Sequence, residues 1–249
     1  MHGRVAILVK ALPQPSSRYG ETVCCAGITA DRHWKRLYPI RFRHLSGDTA
    51  FSRWDWVNFD YRRPTRDTRR ESCHVHEDTI RIDGHLSPVE RPGILESMIA
   101  GSAEDAMKRG DSLALIRPRN TRFTIQRKAA GEIEAEREAY RRAAGQLSML
   151  DRELAELEPT PFHFRFSFED NAGRHSYRNG DWESHAMFFR ERGRTNEAHA
   201  LEWMRSLFNE EYPRRGMAFA IGNQAKRPRV WQLLGVNRLD EAQQGEMPV

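Results

Sequence analysis

Phenylalanine occupies every second position from Phe162 to Phe168, with His163, Arg165 and Ser167 between. A strand turns successive side chains to opposite faces, so this run commits four large rings to one buried face and the polar residues to the other. Side chains two apart on a helix do not share a face, which excludes a helical reading. The segment predicts a half-buried strand, and a strand needs partners.

Short apolar runs supply them. Arg4–Lys10 and Glu21–Thr29 read as strands separated by Pro13, Pro15, Ser16, Ser17 and Gly20, residues that favour turns. Trp34–Phe42 and Trp54–Tyr61 follow, with a short helical connection around His44–Ser52, then Ser72–Ile82 as a further strand. Residues 88–96 lead into a helix, and Ser102 opens another that ends at Gly110, its hydroxyl placed to cap free amides. Ser112–Arg117 and Arg122–Lys128 are expected to return and close a barrel of about five short strands over residues 1–130.

The composition then changes. Residues 131–158 carry eight acids against four arginines among helix-forming Ala and Leu, which predicts an acidic helical connector over 131–160. Pro159 and Pro161 end it. Beyond the Phe strand, Asp181–Arg192 and Thr195–Tyr212 predict helices, the second with Ala198, Leu201, Trp203, Met204, Leu207 and Phe208 on an apolar face. Met217–Gly222 and Val230–Val236 predict the last strands, joined by a basic hairpin connection, so a second domain spans 161–240. The fold class is mainly β with helical insertions (α+β), and 249 residues suit two domains of roughly 100 to 150 residues each.

Charge points to a partner. Residues 1–70 hold 14 Lys/Arg against 6 Asp/Glu, a local balance of +8 in a chain whose total is +5. In the run Trp34, Lys35, Arg36, Tyr38, Arg41 and Arg43, cations alternate with rings, and Arg62, Arg63, Arg66, Arg69 and Arg70 crowd a polar loop. Guanidinium groups hold phosphates and exposed rings stack on bases, so this pattern predicts a single-stranded nucleic-acid or RNA partner. Lys226, Arg227 and Arg229 extend the candidate set. The opposing reading makes Trp34, Leu37 and Ile40 core and the arginines a solvated face.

Other chemistries find less support. The apolar stretch at the N-terminus is too short for a membrane span and reads as the first buried strand. Three cysteines form neither a disulfide framework nor a metal set, which fits a reducing cytoplasm. Cys73, His74 and His76 lack a further ligand at a diagnostic spacing. Asp181 and Glu183 invite a metal-dependent nuclease reading, but two apart on a helix they do not share a face, and a helix start anchored by Trp182 explains them better. No phosphate-binding Gly loop, dinucleotide fingerprint or nucleophile elbow occurs.

Residues 15–28, the Trp34–Arg43 run, Asp181-Trp182-Glu183, Phe219–Asn223, Pro228 and Trp231–Gly235 together resemble the bacterial dual OB-domain proteins. That resemblance covers most of the chain and implies two OB-like β-barrels and nucleic-acid binding, with no catalytic residues to carry over. Members of that family place Cys and His between the Phe-rich strand and the Asp-Trp-Glu element. Here residues 169–177 contain no Cys, so no metal or other cofactor is expected. The expected function is non-enzymatic nucleic-acid binding as an accessory protein. The rivals are a nuclease or nucleotide-processing enzyme and a subunit that docks to protein partners.

Overall fold

The structure, a computed structural model of the chain, describes residues 1–16, 20–144 and 158–240. The first strands are β1 (His2–Lys10), β2 (Gln14–Ser16), β3 (Gly20–Ile28), β4 (Trp34–Ile40), β5 (Asp55–Arg62) and β6 (Ser72–His85). Then come α1 (Arg91–Leu95), β7 (Ile99–Ala100), α2 (Ala103–Lys108), β8 (Leu113–Ile116), β9 (Arg119–Arg127) and α3 (Ala130–Ala144). The remainder holds β10 (Phe162–Asp170), β11 (Gly173–Arg178), α4 (Trp182–Arg194), α5 (Glu197–Ser206), a π-turn at Leu207–Glu211, α6 (Tyr212–Arg214), β12 (Met217–Gln224) and β13 (Arg227–Arg238). The architecture is mainly β with helices inserted, and among the described residues no helix is long and apolar enough to cross a membrane.

Two compact units are interleaved along the chain. Met1–His85 and Gln126–His163 make one; Leu86–Ile125 and the chain from Phe164 onward make the other.

In the first unit, β1 pairs antiparallel with both β3 and β5, β5 with β6, and β3 with β4. β4 and β6 pair in parallel, Arg36–Tyr38 beside Ser72–His74, so the pairings lead from β1 round to β1 again. Alternate residues point inward: Val5 and Ile7, Val23 and Cys25, Val57 and Phe59, Cys73 and Val75 form one core with Leu37, Ile40 and Phe51. Leu37 and Ile40 face Cys25 and Val23, three residues of advance against two, and this irregularity at the cis Tyr38-Pro39 peptide bends β4. Close packing explains Gly27, where an added Cβ would lie 2.3 Å from the Ala6 carbonyl oxygen. Along β2 and β3 lies α3, whose Tyr140 hydroxyl donates to the Pro13 carbonyl at 2.9 Å.

In the second unit, β8 and β9 form one run broken at Arg117-Pro118. β8 pairs antiparallel with β12, β12 with β13, β10 with β11, and β9 lies beside β10. Asn179, just beyond β11, bridges in parallel to Leu233 of β13. Counting strands within each unit, both follow the order 1-2-3-5-4 and back to 1, with the third and fifth in parallel contact. Phe164, Phe166 and Phe168 fill the second core with Phe123, Phe208 and Phe219.

The Phe strand therefore forms as expected, while the two runs expected to close the first barrel instead begin the second unit. Leu113–Ile116 is buried on both faces, and a strand with no solvent face must lie inside a sheet; it sits between β7 and β12. The expected acidic connector is helical over α3, and residues 145–157 of it lie outside the described residues.

Candidate nucleic-acid interface

Alternation sorts the β4 residues, and the irregularity at Tyr38-Pro39 re-aims some of them. Leu37 and Ile40 enter the core as the opposing reading required, while Trp34 is half-buried and Tyr38 is 41% exposed. Arg36 is only 4% exposed, with Nη1 3.7 Å from Cys24 Sγ, so it is removed from the candidate surface. Its position under the 63–71 loop, where its N–H donates to the Glu71 carbonyl, explains the burial. Lys35 Nζ reaches the Tyr61 hydroxyl at 3.3 Å and lies over that ring. Arg41 is committed to Glu77, which accepts from both its backbone N–H and Nε. The side chain of Arg43 lies outside the described residues.

The sheet brings together residues that are far apart in sequence. Tyr38 is level with His74 across the parallel β4–β6 pairing, and Arg62 is level with His74 across β5–β6. The three form a row on the outer side of three strands, opposite the row of Leu37, Cys73 and Val75 that enters the core.

Arg62 leads directly into the arginine loop. Arg62, Arg63, Arg66 and Arg70 are exposed, whereas Arg69 is held by Asp67 and is only 20% exposed. Over the whole first unit the balance is +3, from 21 Lys/Arg against 18 Asp/Glu, so the positive excess is local to this loop and its neighbours. Lys226, Arg227 and Arg229 are exposed at the β12–β13 turn of the second unit, where the chain is paired further into the hairpin than expected.

One basic surface was not foreseen from the sequence. On the sheet of β9, β10 and β11, the face opposite the phenylalanines carries Arg122, Arg165, Arg174 and Arg178, all exposed. The signal was the interleaved polar positions of the Phe strand. Their meaning depends on β9 and β11 lying alongside, which no local pattern specifies.

The remaining chemistry is structural. His74 and His76 have ring centroids 6.5 Å apart, and among the described residues no group of three or more His, Cys, Asp or Glu is arranged to hold a metal. Asp181 caps α4, as its position before a helix predicted: it is buried and accepts from Glu183 N–H, the Ser184 hydroxyl and Val236 N–H. Trp182 is half-buried.

A family described as a domain of unknown function, DUF8758, matches residues 1–96. No curated protein matches the chain. A second family, likewise a domain of unknown function, matches residues 95–247 and thereby most of the chain, which belongs to the DUF8757 family.

Proposed function

We propose that this protein binds single-stranded nucleic acid, or an RNA-containing structure, without catalysis and as an accessory to other proteins. Each unit is read as an OB-like barrel, supported by the strand order 1-2-3-5-4 with its parallel third–fifth contact and, in the second unit, by helices between the third and fourth strands. Barrels of this type bind oligonucleotides on the face of their second and third strands and on the loops joining strands one to two and four to five. The observation that carries the reading is that the arginine loop is the connection between the fourth and fifth strands of the first unit, beside the row Tyr38, His74 and Arg62. A phosphate chain held by the loop would place a base against the Tyr38 ring. Three free thiols support a reducing, cytoplasmic setting.

The test is anisotropy of a labelled single strand titrated at several salt concentrations. Tight binding that weakens steeply with salt is expected, with a shallower slope after Arg62→Ala, Arg63→Ala and Arg66→Ala together. No binding at low salt, or an unchanged slope in the triple variant, would overturn the proposal.

A further inference from the structure

The uncovered face of the β9–β10–β11 sheet combines charge and geometry in a way that goes beyond the reading above. Arg165 and Arg178 occupy directly opposed positions on β10 and β11. Like charges facing each other across an antiparallel pair destabilise it, so this juxtaposition calls for an anion. Asn120 donates to Glu169 at 2.8 Å and the Thr124 hydroxyl to the Arg165 carbonyl at 3.4 Å. Those two contacts run β9 opposite to β10 and bring Arg122 onto the same face. Arg165 Nη1 donates to the Ser176 carbonyl at 3.1 Å and lies 3.3 Å from its hydroxyl, which lays the guanidinium along the sheet. Arg174 takes the Glu169 carboxylate at 2.8 Å, so the face's acid is matched locally, at one end.

Four arginines therefore stand against one glutamate on a flat, solvent-facing surface. Alternation sends the rings of β10, and Phe123 of β9, to the buried side, so this outer face offers cations and hydroxyls and no aromatic platform. Such a surface suits a partner that displays phosphates and keeps its bases inside. We infer that the outer face of β9, β10 and β11 docks the phosphate backbone of double-stranded nucleic acid through Arg122, Arg165 and Arg178. The second unit then holds a duplex by charge alone, while the first unit's exposed ring serves a single strand.

The experiment uses the full chain, a fluorescein-labelled 20-base-pair DNA duplex and, in parallel, one of its single strands. The variant Arg122→Ala/Arg165→Ala/Arg178→Ala is expected to bind the duplex at least tenfold more weakly. Its slope of log affinity against log salt should fall by roughly 2 to 3, since each lost phosphate contact removes about 0.9. Affinity for the single strand should stay as in the parent. Arg165→Lys/Arg178→Lys keeps the charge and is expected to keep the duplex salt slope. The inference is overturned if the parent does not bind the duplex at 50 mM salt, or if the alanine variant binds it as the parent does. Stronger binding to phosphatidylserine vesicles than to duplex, lost in the same variant, would overturn it in favour of a membrane surface. Failure of the first-unit reading shows separately, as unchanged single-strand binding after loss of the loop arginines.

Discussion

Asp67 grips Arg69 with both carboxylate oxygens, Oδ1 accepting from Nε at 2.8 Å and Oδ2 from Nη2 at 2.6 Å. The Ser72 hydroxyl donates to the same Oδ2 at 2.8 Å, which ties the loop to the start of β6. Asp67 is the acid among the five arginines of residues 62–70, and it is spent inside the loop. Its effect is to fix the loop while Arg62, Arg63 and Arg66 stay exposed. A loop ordered before its ligand arrives loses less entropy on binding.

Replacing Asp67 with Asn should loosen this clamp with a pH signature. Burial pushes the carboxyl up, but the hydrogen bonds from Arg69 and Ser72 and the Arg69 charge outweigh it and hold the group at about 2, below its usual 3.8. A folded-state value below the unfolded one stabilises the protein above about pH 4, and that contribution fades as pH falls toward 2. Above pH 4 the parent should therefore exceed Asp67→Asn by on the order of 1 kcal/mol after solvent screening, with the gap closing in acid. Melting curves of both proteins across that range check it.

Tyr38 and Trp34 stand on one strand and should behave differently. Tyr38 is 41% exposed, so Tyr38→Ala should weaken single-strand binding by about 1–3 kcal/mol, the worth of one stacked base, with an unchanged melting temperature and salt slope. Trp34 is half-buried, and Trp34→Ala should lower the melting temperature. Paired melting and binding curves for each variant separate the two effects.

The periodic signals were legible in sequence where a single face is buried. Phe162–Phe168 alternates and forms β10; Val5–Val9, Thr22–Ile28, Met217–Gly222 and Val230–Val236 all lie within strands. Ser102 and Asp181 declared their helices through capping chemistry. Non-local pairing was not legible. Leu113–Ile116 reads equally well as a strand of either unit, and only its place between β7 and β12 decides the matter. The same applies to Arg36, whose charge predicted exposure and whose burial depends on a loop some 30 residues later in the chain folding over it. Arg122, Arg165 and Arg178 are unremarkable in sequence because the sheet, not the chain, assembles them.

Phe166 should be a hinge of stability for the second unit. It is fully buried, with ring centroids 5.0 Å from Phe123, 5.4 Å from Phe208 and 5.0 Å from Phe219. Phe166→Ala leaves a ring-sized cavity among side chains that cannot collapse into it and should cost about 3–5 kcal/mol. Phe166→Leu fills most of that space and should cost less. Chemical denaturation of the two variants beside the parent gives the comparison.

Asp181 offers a direct contrast between a structural and a catalytic carboxylate. Its Oδ2 accepts from Val236 N–H at 3.1 Å and from the Ser184 hydroxyl at 3.2 Å, and its Oδ1 from Glu183 N–H at 3.2 Å. The group joins the first turn of α4 to β13 and is only 1% exposed. Asp181→Ala would remove the cap and leave the Val236 N–H buried without that acceptor, costing about 2–3 kcal/mol. Asp181→Asn keeps an acceptor oxygen and should recover part of the loss. Glu183→Gln leaves these acceptors in place and should melt as the parent does. The measurement is thermal melting of all three, with duplex and single-strand cleavage assayed in the presence of magnesium. A stable Asp181→Asn variant that abolished a cleavage activity present in the parent would make Asp181 catalytic. Loss of stability in the order Ala, then Asn, with no parental cleavage to lose, would establish it as the helix cap that binds α4 to the sheet.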